Sequence, residues 1–171
     1  MPPAPDAHGQ KVLVLLYRRY PDRLLLFRRT GHTDLAWWPV TGHVDPQDAD
    51  LLAAARREVE EETGYRPEAV WSFGRGVTFT QVRDGRERTF EEHAFAADVT
   101  GLGPVRLSGE HVAFAWFTLK SAEEVLPHPH QRVALQELKA RLLQMRRADE
   151  EALAREAAAA GDAAPGAEKS A

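Results

Sequence analysis

The sequence contains no cysteine among its 171 residues, so the chain can form neither a disulfide bond nor a zinc site built from thiolates. No apolar run approaches the length of about 18 residues from which a membrane-spanning helix is predicted. The formal net charge of −4 argues against a general nucleic-acid coat and against an anionic membrane surface as partners. A small anionic substrate held through a metal ion is compatible with that charge.

Signals for export are also missing. The N-terminal sequence MPPAPDAHGQ has no basic segment followed by an apolar one, so we expect no signal peptide and a cytoplasmic protein. Residues 1–9 are rich in proline and alanine, and we expect them to be disordered. The length suits one domain, which we place at residues 10–145. Residues 146–171 carry many alanines and little bulky apolar surface, which predicts a helical extension and then a disordered tail.

What the sequence does contain is an acidic helix behind a glycine turn, in residues 42–64. Good helix formers run without interruption over residues 49–62. Within that run Glu58, Glu61 and Glu62 are spaced i, i+3 and i+4, so the three carboxylates share one face of the helix. The sequence therefore predicts a local concentration of negative charge.

Three like charges on one face repel one another and raise one another's pKa values unless a cation lies among them. Because the donors are oxygens only, such a face suits Mg²⁺ or Mn²⁺ better than zinc. The alternative is a solvated acidic helix end, which is the usual explanation of a run of charges.

The surrounding residues favour the metal site. Gly42 and Arg57 precede the acidic face and Gly64 follows it. With the three glutamates, this spacing resembles the signature of the Nudix hydrolases: a glycine, a loop, Arg-Glu, two residues, Glu-Glu, one residue and Gly. Tyr65 fills the hydrophobic position that closes the signature, and Asp48 stands in place of its usual mid-loop Glu.

Two further sequence segments resemble one branch of that family, the dihydroneopterin triphosphate pyrophosphohydrolases. The lead-in WWPVTG at residues 37–42 is similar to that branch, and so is Glu110-His111 followed by an aromatic strand ending in Trp116. Glu110 matches the place of a glutamate beyond the signature that adds a metal ligand or acts as base. Glu92 is the second candidate for that distal acid.

The order of predicted elements agrees with the family fold. Strands are predicted at residues 11–18, 23–29, 88–99 and 112–119, and an amphipathic helix at residues 131–145. We expect an α/β (α+β) fold, a Nudix-like α/β/α sandwich with a mixed β-sheet between the acidic helix and the C-terminal helix.

The resemblance implies a Mg²⁺-dependent (or Mn²⁺-dependent) hydrolase that cleaves a phosphoanhydride bond in a small molecule. The implied metal ligands are Glu58, Glu61, Glu62, Glu110 and the Gly42 carbonyl. The residues expected to serve catalysis are Glu58, Glu61, Glu110 and Arg57, of which Arg57 orients a carboxylate.

Candidate substrate contacts lie outside the signature. Trp37 and Trp38 point to opposite faces if they lie on a strand, so one belongs to the core and the other can stack on a flat ring. Arg28 and Arg29 can reach phosphate or can be strand-end surface charges. Glu92 completes the candidates. We interpret His128-Pro129-His130 as part of a polar loop, because no third metal ligand lies near it.

The expected substrate is a triphosphate bearing a flat bicyclic ring, either dihydroneopterin triphosphate or a nucleoside triphosphate. Dinucleoside polyphosphates and nucleotide sugars are alternatives, because substrate choice depends on loops outside the signature. A different class of function is a non-catalytic nucleotide-binding module of the same fold. Metal-dependent release of phosphate or pyrophosphate distinguishes the two. The sequence leaves a homodimer open.

Overall fold

The computed structural model describes residues 9–31 and 35–162. The strands are β1 (Gly9–Arg18), β2 (Arg23–Arg29), β3 (Val40–His43), β4 (Val70–Arg83), β5 (Arg86–Asp98) and β6 (His111–Phe117). The helices are α1 (Leu51–Thr63), which is the acidic helix of the signature, α2 (Leu119–Val125) and α3 (Pro129–Asp162).

The strands form one mixed sheet in the order β4-β5-β1-β2-β6, with β3 also paired to β1. Strands β1 and β5 are parallel, and the other named pairs are antiparallel. The apolar run of β1 explains its central place, because a strand covered on both faces has no need of polar alternation. Each residue from 12 to 17 is at most 1% exposed.

The two faces of the sheet are covered by different helices. On one face, Ala54, Ala55 and Val59 of α1 join a core cluster with Phe27 and Phe95. On the other face, α2 packs against β2 and β6, and the first turn of α3 reaches β5. The α/β/α sandwich with a mixed sheet that the sequence predicts is thereby confirmed.

Some element bounds differ from expectation, since β5 begins at Arg86 rather than at residue 88 and β6 ends at Phe117 rather than at residue 119. Strand β4 continues through the glycines at 74 and 76, with a register shift between Ser72 and Gly76, because Gly74 adopts a φ of 75° that a β-bulge can use. Helix α2 is capped by Thr118. In α3, Val133 is 57% exposed since it lies on the opposite side of the helix from the buried Leu135.

By internal packing the chain divides into a unit that ends at Glu137 and one that begins at Leu138. The second unit is helical through Asp162. Disorder is expected at residues 1–9 and from about residue 161; residues 1–8 and 163–171 fall outside the described residues, whereas Gly9 belongs to β1 and Gly161 and Asp162 belong to α3. The domain bounds 10–145 stay a prediction. None of the helices in the described part of the chain combines the length and apolar character needed to cross a membrane.

Candidate active site

Local sequence signals fix the position of α1. The Asp50 side chain caps its first turn by accepting a hydrogen bond from the Ala53 amide at 2.7 Å. Gly64 ends the helix in the left-handed conformation with φ 73°. Because the alanines and Val59 are held against the sheet, the rotation of the helix about its axis is fixed. The acidic face is therefore directed away from the core cluster.

A cavity of about 630 Å³ borders the acidic face. Its walls carry both signs of charge. The acidic side chains are Asp45, Glu58, Glu61 and Glu110, and cationic side chains line the same space: Lys11, Arg29, Arg57 and Arg88. Gly42 also lines it. The structure thus brings the distal Glu110 together with the acidic face of α1.

The three glutamates of α1 differ in their surroundings. The Glu61 side chain is 58% exposed and that of Glu58 is 12% exposed. Glu62 is almost fully buried, and its Oε2 has no hydrogen-bond partner among the described residues. The buried His111 is a basic group beside it, and its Nε2 lies 3.6 Å from that oxygen. This separation is longer than a hydrogen bond.

Electrostatics follow from this burial. Loss of solvent, and then repulsion from Glu58 and Glu110, raises the pKa of Glu62 to about 9. Burial also raises the pKa of Glu58, against the opposing effect of the Arg57 hydrogen bond. Burial lowers the pKa of His111, so its imidazole is not a ready source of compensating charge near neutral pH. The protein alone therefore does not stabilise the charged forms of Glu58 and Glu62.

Arg57 connects the loop before α1 to the acidic face. Its Nε and Nη2 donate to the two oxygens of Asp48 at 2.9 and 2.8 Å, a bidentate geometry. Its Nη1 donates to Glu58 at 2.8 Å and to Glu61 at 3.3 Å, and Nη2 also donates to the His43 carbonyl. These bonds lower the pKa of Asp48 and raise that of the Arg57 guanidinium. Arg57 is thus placed to orient carboxylates.

The donor set fits a hard divalent cation. It consists of oxygens, one of which, Glu62 Oε2, is buried with no hydrogen-bond partner in residues 9–31 and 35–162. A Cβ at Gly42 would lie 1.9 Å from the Glu58 carboxyl carbon, so only glycine lets that carboxylate lie against the β3 backbone. In their present rotamers, no three His, Asp or Glu side chains of the described residues are arranged to hold an ion together. Binding would therefore require Glu58 and Glu61 to turn from Arg57.

A second cavity of about 210 Å³ shares Lys11, Arg29, Thr41 and Gln81 with the first. Of the substrate contacts expected from sequence, Arg29 and Trp38 line this cavity, with the guanidinium 4.0 Å from the indole centroid. Glu92 lines it as well. Glu92 therefore lies at the second cavity, whereas Glu110 lies at the acidic face.

Trp37 and Arg28 are placed elsewhere. Neither lines the two connected cavities. The Trp37 ring contacts Phe117 at 5.1 Å, and the Arg28 guanidinium lies 5.8 Å from the Trp37 centroid. The two tryptophans thus have different surroundings, as adjacent side chains on an extended segment should.

Sequence reasoning missed several residues of these cavities. Lys11, Phe79 and Gln81 gave no local signal, because their places depend on strand register. His128 and His130, interpreted as polar-loop residues, also line the second cavity. His130 is in the first turn of α3, which begins at Pro129. A proline at the first helical position is a signal that could have indicated this.

A third cavity, of about 780 Å³, lies behind the C-terminal end of α1 and is more open to solvent. It contains Arg66 and Arg106, and of the acidic cluster it includes Glu61 alone. Its size does not make it the site, because it lacks the convergence of carboxylates.

Comparison with known proteins identifies the class. The model of the NUDIX domain family matches residues 7–138, so the chain belongs to this family. It is a Nudix hydrolase, of a family that acts on small-molecule phosphoanhydrides and generally uses divalent metals.

Particular relatives agree with this class. The chain is 31% identical over 105 residues to the asymmetrical bis(5'-nucleosyl)-tetraphosphatase of Mus musculus, covering 59% of this chain and 68% of that enzyme. It is 33% identical over 128 residues to an octanoyltransferase of Myxococcus xanthus, covering 72% of this chain and 34% of that protein. The chain thus spans about a third of that relative's length.

Among solved structures, the dihydroneopterin triphosphate pyrophosphohydrolase of E. coli superimposes with a TM-score of 0.65. The match covers 77% of this chain and 97% of that one at 22% identity. At this identity the likeness shows the fold alone.

Proposed function

We propose that this Nudix hydrolase depends on Mg²⁺ or Mn²⁺ and cleaves a phosphoanhydride bond in a nucleoside polyphosphate or a similar compound. The observation that carries the proposal is the convergence of Glu58, Glu61, Glu62 and Glu110 beside a cavity with cationic walls. A divalent cation bound there supplies neutralisation of phosphate charge and a more acidic water.

The residues of the site have three different roles: binding the cation, positioning the carboxylates and orienting the polyphosphate. Glu58, Glu61, Glu62, Glu110 and the Gly42 carbonyl hold the cation. Arg57 is a positioning residue, because it is bonded to Asp48 and to two of the carboxylates. The cationic side chains of the cavity attract and orient the polyphosphate: Lys11, Arg29 and Arg88. Positioning and charge stabilisation supply most of the rate in such a reaction, since little covalent chemistry is required of the protein.

Two substrate classes are supported by different observations. A dinucleoside tetraphosphate, cleaved asymmetrically, is favoured by the mouse enzyme at 31% identity. A triphosphate on a flat bicyclic ring, expected from the sequence, is favoured by the WWPVTG lead-in and by the second cavity, where ring side chains adjoin the polar space. The bond cleaved differs between them, so the products separate the two.

The test is a panel of dinucleoside tetraphosphates, nucleoside triphosphates, dihydroneopterin triphosphate and nucleotide sugars, each with Mg²⁺, with Mn²⁺ and with EDTA. A tetraphosphate cleaved asymmetrically yields a nucleoside triphosphate and a monophosphate, whereas a triphosphate yields a monophosphate and pyrophosphate. Metal-dependent hydrolysis of any of these supports the proposal. Binding of the same compounds without turnover in either metal contradicts it and favours the binding module.

The assembly and the location of the chain are further proposals. We expect a cytoplasmic protein, and a homodimer is the alternative to a monomer. Light scattering coupled to gel filtration measures the assembly, and cell fractionation measures the location.

A further inference from the structure

The second cavity has features of a recognition site that the hydrolytic step does not use. Ring side chains form one side of it. Phe79 stacks on His130 with centroids 5.7 Å apart and 11° between the planes, and His130 stacks on His128 at 5.4 Å and 10°. The Trp38 indole meets His128 edge-on at 5.2 Å. A volume of about 210 Å³ is smaller than that of a pocket for a whole drug-sized ligand, so it suits one flat ring system.

The polar feature of this cavity is a buried carboxylate. Glu92 is 5% exposed, and its Oε2 lies 2.7 Å from His130 Nε2. In the tautomer that carries its proton on Nε2, His130 donates to this oxygen. A carboxylate has about four acceptor positions, and among the described residues His130 makes the one side-chain hydrogen bond to Glu92. Because Glu92 lines the cavity, its remaining acceptor positions are open to donors from a ligand.

The Glu92 carboxylate restricts which ring edges can form hydrogen bonds in this cavity. An adenine or cytosine edge offers one amino donor beside a ring-nitrogen acceptor, which a carboxylate oxygen repels. The 2-amino-4-oxopyrimidine edge of guanine offers a ring N–H and an adjacent amino group, and a pterin offers the same pair. Two adjacent donors match the two oxygens of a carboxylate, as they do in bidentate contacts to carboxylates elsewhere.

The position of the cavity connects this recognition to the reaction. The two cavities share four lining residues, which are Lys11, Arg29, Thr41 and Gln81. A substrate whose ring lies in the second cavity can therefore place its phosphates in the first. Arg29 lies at the junction, with Nη2 donating to Thr41 Oγ1 at 2.6 Å and the guanidinium stacked on Trp38.

We propose that the cavity between Trp38, Phe79, His128 and His130 binds the ring of the substrate, and that Glu92 selects a 2-amino-4-oxopyrimidine edge, that of a guanine or a pterin. The inference rests on the proposed function for the identity of the attached polyphosphate. Glu92 is here a specificity-determining residue, distinct from the residues that hold the cation.

Isothermal titration calorimetry without metal tests the ring preference apart from catalysis. GMP and AMP carry the same ribose and phosphate, so their ratio of dissociation constants reports the ring alone. We expect GMP to bind about tenfold to a hundredfold more tightly than AMP, the range given by one good bidentate contact. Neopterin titrated against adenosine separates a pterin source from a guanine source. Equal binding of GMP and AMP together with no preference for neopterin overturns the inference, and so does the absence of any binding.

The variant Glu92→Gln replaces one acceptor oxygen with an amide donor and is expected to remove the preference. Glu91→Gln is the matched control, because Glu91 is the adjacent residue of β5, points to the other face of the strand and has a side chain that is 48% exposed. Retention of the full preference in Glu92→Gln overturns the inference. Circular dichroism checks folding, and if Glu92→Gln does not fold, the wild-type ratios decide alone.

Hydrolysis then separates this inference from the proposed function. A ring preference in binding with no hydrolysis of any guanine, adenine or pterin polyphosphate supports the subsite and contradicts the hydrolase. Hydrolysis with equal kcat/KM for the guanine, adenine and pterin compounds of one phosphate length supports the hydrolase and contradicts the ring preference of the second cavity.

Discussion

The two connected cavities differ in how far the protein satisfies its own polar groups. At the acidic face, several carboxylates repel one another, and burial raises the pKa values of Glu58 and Glu62. In the second cavity, stacked rings surround a single buried carboxylate that is bonded to His130. In the first arrangement the charged forms of the carboxylates are unfavourable and a bound cation would stabilise them, whereas the second offers a shaped surface for a ring.

This difference assigns different kinetic consequences to the two regions. Groups beside the reacting bond act on the transition state, so their loss lowers kcat. Groups that hold a remote ring bind the ground state and the transition state alike, so their loss raises KM. Substitutions at the acidic face should therefore lower kcat, and substitutions in the second cavity should raise KM.

The largest effect is expected at the acidic face. Glu61→Gln or Glu62→Gln should lower kcat by about 10³-fold or more, because each removes an anionic donor from the cation site. Steady-state kinetics with the substrate found in the panel measures this. Glu60→Gln is the matched control, since Glu60 pairs with Arg66 on the outer side of α1. Near-normal turnover in both Glu61→Gln and Glu62→Gln would refute the assignment of the acidic face.

A smaller loss is expected from the backbone that supports Glu58. In Gly42→Ala the new Cβ would lie 1.9 Å from the Glu58 carboxyl carbon, so the carboxylate must move. A displacement of about 1 Å at a reacting centre costs roughly 10²-fold in rate. Gly161→Ala, where no atom of the described residues lies within 4 Å of the added carbon, is the control. An unchanged kcat in Gly42→Ala would show that the observed place of Glu58 is not the functional one.

A substitution in the second cavity should change KM. Phe79→Ala removes a ring that stacks on His130, and we expect KM to rise about tenfold with a much smaller change in kcat, as for the loss of one stacking partner of a base. Phe73→Ala is the control, because Phe73 belongs to the same strand but contacts Trp71. If kcat falls and KM does not change, the division of labour between the cavities is wrong.

The smallest effect concerns the loop that carries Asp48. Asp48→Asn weakens the bidentate pair with Arg57 and should lower the free energy of unfolding by about 1–2 kcal/mol at pH 7. Urea unfolding measures it. Asp50→Asn is the control, since asparagine caps a helix as well as aspartate does.

The pH dependence has a defined sign. The hydrogen bond from Arg57 lowers the pKa of folded Asp48 below its unfolded value. The contribution of Asp48 to the free energy of unfolding is therefore present above about pH 4 and is lost as the pH falls through the folded pKa. The difference between wild type and Asp48→Asn should therefore shrink in acid. A difference that grows in acid would contradict this role of Arg57.

Residues close in sequence made the acidic face predictable. The i, i+3, i+4 spacing of Glu58, Glu61 and Glu62 follows from helix geometry alone, and Gly64 ends the helix where expected. The sheet was predictable in class from its apolar runs.

The second cavity was not predictable, because it depends on contacts between distant parts of the chain. Lys11 and Glu92 are register partners on parallel strands, and Phe79 meets His130 from 51 positions away in the numbering. No local pattern specifies such register. The same limit applies to Trp37 and Trp38, where alternation predicts different surroundings but not which indole lines a cavity.

The most direct measurement is Mn²⁺ binding followed by electron paramagnetic resonance, without substrate. The wild-type protein should reduce the signal of free Mn²⁺ with at least one bound ion per chain, and Mg²⁺ should compete for it. The triple variant Glu58→Gln, Glu61→Gln, Glu62→Gln should leave the signal of free Mn²⁺ intact. Equal binding by wild type and triple variant, or no binding by the wild type, would contradict the claim that this helix face exists to hold a divalent cation.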